Sequence, residues 1–265
     1  MITLYDLGPV YFEDKGLSPY VRTIRYSFSP LSSNLSSPTI FPRFALNYKK
    51  IPYKDIQIPI SEVKSTAKSV GAPPTSTKPD GSPKYTVPFI YDSTTGKLVS
   101  DSFLIAEYLD EAYPDTPRIV PLGMRVLQAI FCQTMVSAFV PIYPAIQPAT
   151  EAQWMPKEFV EDLVRLDSRR STASALSVEE EAAAWGQTRA ALGEIALAYG
   201  TRAAEDSAFV MGGSTPTYAD IAFTSFLWWV RTVYGEDSEI WGGIGGVGEG
   251  IIGKLCQDTL AHCKE

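Results

Sequence analysis

The residues best suited to chemistry in this 265-residue chain lie in two short motifs, Val87-Pro88 and, twelve residues after that proline, Ser100-Asp101-Ser102. Pro88 has no N–H and interrupts the strand-like run from Tyr85 to Ile90, which calls for either an edge strand or a cis peptide bond. In the cis case the chain bends sharply and leaves the N–H and C=O of Val87 facing outward, where an extended peptide ligand can pair with them. Ser100 or Asp101 reads as the N-cap of the helix that follows. At that helix mouth Ser102 and the first N–H groups suit a carboxylate, and Asp101 suits an ammonium. Ser-Asp-Ser alone is an ordinary cap; joined to the Val-Pro hairpin at this spacing, it reads more strongly as a ligand site. A third candidate is Ser18, an N-cap followed by Pro19 at the preferred first helical position.

The elements that must hold these residues follow from periodicity and turn chemistry. Residues 2–7 alternate as a short strand ending at Gly8-Pro9, a helix starts near Ser18, residues 53–60 form a second strand, and 64–70 a second helix. The Pro/Ser/Thr-rich stretch 71–83 leads to a hairpin through Asp92-Ser93-Thr94-Thr95-Gly96 and to an apolar-striped helix that Pro114 stops. The order strand, helix, strand, helix, two-strand hairpin, helix is the thioredoxin-like plan. From Arg125 onward the periodicity is helical, with helices predicted near 122–140, 155–170, 178–199, 217–234 and 248–262 and with Pro141, Pro144 and Pro148 separating the first two. Ser177 with Glu180, and Thr217 with Asp220, are capping boxes. Thr217 and Asp220 are therefore read as structural caps rather than as an acid or base.

Composition narrows the function. A formal net charge of −7 and a pI near 4.9 argue against nucleic acid or an anionic membrane as partner. No basic apolar leader and no apolar run approaching ~20 residues is read in the sequence, so a cytoplasmic protein that neither enters nor crosses a membrane is expected. Three cysteines without a CxxC pair imply neither a disulfide framework nor a redox dithiol. The single histidine, His262, rules out a Ser-His-Asp triad in a core site and a multi-histidine metal centre, so no metal is expected. Chemistry is left to hydroxyls, backbone amides and carboxylates.

Met1 to Gly8, Ser18-Pro19-Tyr20-Val21-Arg22-Thr23-Ile24-Arg25, Phe44 to Lys49, Val87-Pro88, Ser100-Asp101-Ser102, Phe209 to Gly212, Tyr218-Ala219-Asp220-Ile221 and Gly235 to Ser238 together resemble the fungal glutathione transferases of the etherase-like class. The resemblance covers nearly the whole chain. It implies a thioredoxin-like α/β domain over residues 1–114, an all-α domain over 121–265, and often a homodimer. Glutathione is the implied co-substrate, held by Val87, Pro88, Asp101 and Ser102, with Ser18 as the hydroxyl that activates its thiol. The implied reaction is attack on small hydrophobic or aromatic electrophiles, with ether cleavage and detoxification among its uses. A free thiol titrates near ~8.5, so a hydroxyl donor and a helix N-terminus both favour the thiolate, and a two-unit drop requires only about 2.7 kcal/mol. Tyr5 is an alternative donor, since some transferases use a tyrosine at the end of the first strand. A second function class is a non-catalytic carrier of phenolic compounds, with Val140 to Pro144, Trp154, Phe159 and Trp228 lining its cleft.

One segment departs from the family pattern. Tyr26 to Arg43 is rich in Ser and Pro and cannot continue a helix, whereas joining Pro19–Arg25 to Phe44–Lys49 aligns Val21, Ile24 and Leu46 on one face. Residues 26–43 are thus read either as an insertion splitting the first helix, such as a translated short intron, or as a surface loop peculiar to this protein. Either way the placement of Ser18 is affected, and an inactive form is one expected outcome.

Overall fold

Along Ile2–Leu7 (β1) alternate side chains turn to opposite faces, with Ile2, Leu4 and Asp6 fully buried on one and Tyr5 and Leu7 on the other. The computed structural model describes residues 1–7, 40–154, 157–166, 176–200 and 209–263. Strand β1 lies inside a four-stranded sheet, parallel to β2 (Tyr53–Ile58) and antiparallel to β5 (Phe89–Asp92), which pairs in turn with β6 (Lys97–Ser100). Two residues each of β3 (Ser76–Thr77) and β4 (Pro83–Lys84) form a separate small hairpin in the stretch expected to be a loop. Helix α2 (Val63–Val70) covers one face, closing a cluster of Leu7, Ile58, Val63, Ala67, Ala72, Val87 and Phe89. It stops at Gly71, whose φ of +81° lets the chain turn off the helix. Helices α1 (Ile40–Tyr48) and α3 (Ser102–Ala112) pack together on the other. This is the expected thioredoxin-like arrangement.

Two buried acids at inward strand positions tie those helices to the sheet. Asp6 accepts from Arg43 Nη2 at 2.9 Å and Nε at 3.2 Å, and Arg43 Nη2 also reaches Asp55 Oδ1 on β2 at 2.7 Å. Asp92 accepts from Tyr108 and Tyr113 hydroxyls at 2.6 and 2.8 Å and from Thr94 N at 2.8 Å. Burial raises the Asp92 pKa, but these hydrogen bonds outweigh it and hold the carboxyl below its usual range. Just past α1, the fully buried Lys49 pairs with Asp110 of α3 at 2.7 Å and with the Pro117 carbonyl at 2.9 Å.

The first helix corrects the predicted insertion at its C-terminal boundary. Residues 26–39 lie outside the described residues, but Ile40 to Arg43 form the first turn of α1 rather than part of an excisable segment. Pro42 is tolerated there because a first-turn N–H has no intrahelical partner. Phe41 is fully buried and Arg43 is 3% exposed. Excision through Arg43 would remove a core aromatic, a loss that costs about 3–5 kcal/mol for a Phe→Ala truncation alone. Joined directly to Phe44, Arg25 would stand in the place of Arg43 and Thr23 in that of Phe41, so excision would keep a cation before Phe44 and lose the aromatic.

The chain divides between Arg118 and Ile119, and the described helix α6 (Lys157–Leu166) groups with the first unit, packing on the turn Ile60–Glu62. The second unit is helical: α4 (Arg125–Phe139), α5 (Tyr143–Trp154), α7 (Val178–Gly200), α8 (Tyr218–Tyr234), α9 (Glu239–Gly245) and α10 (Ile251–His262). Pro144 enters α5 in its first turn and Pro148 stands inside it, so the predicted proline-separated gap is a helix that lacks one interior hydrogen bond. The run Arg125–Ala152 contains an 18-residue window of mean hydropathy 1.5 and is long and apolar enough by composition to span a bilayer, which corrects the sequence reading that no such run exists. Here it is broken by Pro141 and Pro144, and Met135, Ala138, Phe139, Ile142 and Ile146 are buried on one side. Helix α8 packs against both α4 and α10 and buries nearly every side chain, as its apolar sequence requires.

Replacing Arg43 with methionine tests the α1 anchor. Burial pushes Asp6 up to about 6, against the pull of Arg43. A folded-state pKa above the unfolded value favours the fold at low pH, and that contribution fades as pH rises through about 6. Arg43→Met is therefore expected to cost about 3–5 kcal/mol at pH 8, where it strands a buried carboxylate, and less at pH 5, where Asp6 takes up a proton. Urea unfolding at the two pH values checks this; equal losses at both would contradict it.

Candidate active site

The hairpin register brings the two motifs together. Phe89 pairs with Ser100, so Val87-Pro88 and Asp101-Ser102 leave the same end of adjacent strands β5 and β6. Neighbouring strands run ~4.8 Å apart, which places the proline bend beside the mouth of α3. The twelve-residue spacing seen in the sequence is the length of this hairpin, with Gly96 in the turn at φ +73°. The Val87–Pro88 peptide is cis, one of the two geometries predicted.

Asp101 is the N-cap of α3. Its Oδ1 accepts from Phe103 N at 2.9 Å and Leu104 N at 3.2 Å. Its backbone stands at φ +84°, ψ 130°, a region that a residue with a Cβ occupies at a cost of order 1–3 kcal/mol. Such a conformation persists where the surroundings impose it, and here β6 must turn directly into a helix whose mouth faces Pro88. Among the described residues Asp101 Oδ2 and the Ser102 hydroxyl make no hydrogen bond, although Ser102 is 6% exposed. The helix mouth therefore offers a carboxylate oxygen, a hydroxyl and the first amides of α3 at one place.

Sequence reasoning missed the lysines on the other side of the proline. Lys84 ends β4 four residues before Pro88, and burial, followed by the charge of Lys78, lowers its pKa. Lys68 of α2 lies over the Tyr85 ring, 5.9 Å from its centroid. The Thr75 and Thr86 hydroxyls, 2.7 Å apart, join the two sides of the small hairpin leading to Val87. The available signal was charge: Lys78 and Lys84 flank Asp80-Gly81, a turn pair, which folds them onto one hairpin.

Ser18 lies outside the described residues. Tyr5 is placed: its ring stacks on Phe89, centroids 4.6 Å apart at 14°, and packs against the core cluster under α2. In the helical unit the Thr217–Asp220 capping box forms, with Asp220 Oδ2 accepting from Thr217 N and its hydroxyl at 2.8 Å each and Oδ1 from Val210 N at 2.6 Å. Burial drives the Asp220 pKa upward despite those bonds. Gln128 of α4 completes the cap, donating to Thr217 Oγ1 at 3.0 Å and accepting from Ala219 N at 2.6 Å. Ser177 and Glu180 cap α7 reciprocally, also as predicted. Of the aromatic residues assigned to a carrier cleft, the side chains of Trp154 and Phe159 lie outside the described ones, and Trp228 is half-buried. Cys132, Cys256 and Cys263 are free thiols that burial pushes up to about 12, which leaves them poor nucleophiles.

Residues 126–262 match the family model of the glutathione S-transferase C-terminal domain, and residues 32–117 that of the N-terminal domain. The chain belongs to the glutathione S-transferase family. The N-terminal match begins inside the stretch read as an insertion, in keeping with the correction at Ile40–Arg43. Among solved structures the transferase is similar to a glutathione S-transferase of Ceriporiopsis subvermispora in complex with glutathione, at 32% identity and TM-score 0.80 over 98% of this chain and 97% of that one. It is also similar to the glutathione transferase GSTFuA2 of Phanerochaete chrysosporium, at 28% identity and TM-score 0.80, covering 99% and 98%. A curated relative, the glutathione S-transferase-like protein ustS of Aspergillus flavus, is 29% identical over 231 residues, 83% of this chain and 81% of its own. Glutathione is accordingly the co-substrate of this fold, and the α/β plus helical plan is that of the family.

Asp101 separates strain from capping. Asp101→Ala loses the cap and keeps the unfavourable φ, so it is expected to cost about 1–2 kcal/mol. Asp101→Gly loses the same cap but adopts φ +84° freely, so its stability should stay within about 0.5 kcal/mol of the parent. Chemical denaturation of both variants measures this, and a glycine variant as unstable as the alanine one would show that the backbone is unstrained.

Proposed function

We propose that the protein is a glutathione transferase that binds glutathione across the β5–β6 hairpin end and activates its thiol for attack on small hydrophobic or aromatic electrophiles, aryl ethers among them. The observation that carries this reading is the Phe89–Ser100 register, which sets a cis-proline bend beside a helix mouth whose hydroxyl and second carboxylate oxygen make no hydrogen bond among the described residues. The γ-glutamyl end is zwitterionic: its carboxylate suits the Ser102 hydroxyl and the α3 amides, and its ammonium suits Asp101 Oδ2. The cysteinyl unit pairs with the backbone of Val87 in β fashion. The glycyl carboxylate falls to Lys84, where an anion would offset the repulsion from Lys78.

Ser18 is the proposed activating hydroxyl, on the strength of the family resemblance. Tyr5 is the weaker donor because its ring is committed to the stack on Phe89 under α2. The thiolate then displaces a leaving group from the electrophile: a C–S bond forms, the C–X bond breaks, and the leaving group departs with the electron pair. The thiol proton has already gone to solvent. Ser18→Ala is expected to raise the pKa of bound glutathione's thiol, followed by thiolate absorbance near the ultraviolet edge, while Tyr5→Phe leaves it in place. The reverse pattern would move the role to Tyr5.

Glutathione binding is tested by calorimetry. Ser102→Ala and Lys84→Gln should each weaken binding about tenfold or more, as loss of a charge-assisted hydrogen bond of ~1.5–3 kcal/mol requires. Thr217→Ala, in the helical unit and far from the site in sequence, should lower stability by about 1 kcal/mol and leave the affinity unchanged. Parent-like affinity in both site variants would sink the assignment.

A homodimer completes the reading. Leu122, Val126, Leu127 and Ile130 are 81%, 64%, 53% and 55% exposed on and just before α4, an apolar run that a monomer would leave wet. A second copy can cover it by placing α4 against α4 about a twofold axis. Leu127→Glu combined with Ile130→Glu is expected to convert a dimer into a folded monomer by light scattering after size exclusion; a monomeric parent would contradict this.

A further inference from the structure

The small β3–β4 hairpin ahead of Val87 carries two amines on one face. Ser76 pairs with Lys84 and Thr77 with Pro83, and Lys78 N donates to Ser82 O at 2.8 Å, which carries the same register one pair further toward the turn. Alternate residues of a strand share a face, so Lys78, opposite Ser82, and Lys84, two residues after it, stand on the same side. They are diagonal neighbours at a spacing of roughly 7–8 Å. Both ends of the hairpin are fixed: Gly81 N donates to Lys78 O at 2.9 Å across the turn, and the Thr75 and Thr86 hydroxyls meet at 2.7 Å at the open end. The separation of the two amines is therefore set by the ladder.

The hairpin does not neutralise that face. Its one acid, Asp80, accepts from Ser82 N at 2.9 Å, and Ser82 is the main cause that holds its carboxyl below the usual range, with a smaller pull from Lys78. One acid thus stands against two amines. Lys84 is half-buried, and burial followed by the charge of Lys78 lowers its pKa, in keeping with two cations held on one face. Tyr85 and Val87 take the alternate positions and join the cluster under α2, so Lys84 belongs to the other side of the strand. Lys84 precedes Val87 by three residues, roughly 10 Å of extended chain, within reach of the end of a peptide paired with Val87. Lys78 is exposed and only its backbone joins the ladder, so the fold makes no demand on its charge.

We propose that Lys78 is a second specificity residue for the C-terminal carboxylate of the thiol peptide, acting across the hairpin on the anion that Lys84 contacts, so that the protein selects peptides with a free carboxylate at that end over those in which it is neutral. This rests on the glutathione reading of the hairpin end. One carboxylate offsets one of the two amines, and the other still attracts it over the ~8 Å that physiological salt leaves largely unscreened. Because Lys78 is exposed, it works through its field rather than through a fixed contact, and its influence must fall as salt rises.

The test is calorimetry of the parent, Lys78→Gln and Lys78→Arg with glutathione and with its glycyl ethyl ester, at about 20 mM and about 500 mM sodium chloride. Lys78→Gln is expected to weaken glutathione about threefold at the lower salt and to match the parent at the higher one. It should bind the ester as the parent does, Lys78→Arg should keep the parent's affinity for both ligands, and all three proteins should melt alike. A purely structural role for Lys78 would weaken both ligands equally and at both salt concentrations. That result overturns the proposal, as does an unchanged affinity of Lys78→Gln for glutathione at low salt, or a parent that binds the ester as tightly as glutathione. If the parent binds glutathione in these cases, the proposal alone falls; a parent that binds no glutathione removes the transferase reading, and this proposal with it.

Discussion

The pairing of Phe89 with Ser100 is the constraint on which the site depends. A one-residue slip of β6 against β5 would turn Leu98 and Ser100 to the opposite face of the sheet and move Asp101 out of line with Pro88. That slip is opposed on both faces of the sheet. On one, Asp92 is bound by two tyrosine hydroxyls from or just beyond α3; on the other, Phe89 stacks on Tyr5 and joins the cluster under α2. The strained backbone of Asp101 is sustained by the same arrangement, because the strand before it and the helix after it are each fixed independently.

The two units are stabilised by different means. In the first, α1 and α3 are tied to the sheet by buried ionic and hydrogen-bonded groups: Arg43 on Asp6, Lys49 on Asp110, and Tyr108 on Asp92. A buried pair of this kind contributes little net stability over an apolar replacement, but breaking it is costly, so it fixes where a helix sits more than how stable the unit is. In the second, α8 supplies an apolar core in which buried hydroxyls such as those of Thr150, Thr224 and Ser225 are scattered, while at its N-terminus Asp220, Thr217 and Gln128 satisfy one another. Position is most tightly specified in the unit that carries the candidate chemistry.

Much of this was legible in the sequence because it rests on local rules. The hairpin was marked by Ser93-Thr94-Thr95-Gly96 between short apolar runs, the cap of α3 by Asp101, and the start of α8 by Thr217 with Asp220. What was misread rests on tertiary context. Pro42 reads as a breaker until its place in a first turn is known, and Arg43 reads as surface until Asp6 and Asp55 are seen around it. Pro148 stands inside α5, where burial of Ile146 and Thr150 beside it offsets a missing hydrogen bond. The positive φ of Asp101 leaves no compositional trace, and the two-residue strands β3 and β4, with Lys84 at their end, are too short for periodicity to reveal.

The central claim is that one hairpin end holds all three parts of glutathione. A crystal structure of the protein with glutathione tests this most directly. It should show the glutamyl carboxylate within hydrogen-bond distance of the Ser102 hydroxyl and the α3 amides, the ammonium at Asp101 Oδ2, the cysteinyl backbone paired with Val87, and the glycyl carboxylate at Lys84. Glutathione bound elsewhere, or an unoccupied hairpin end at saturating ligand, would contradict the account.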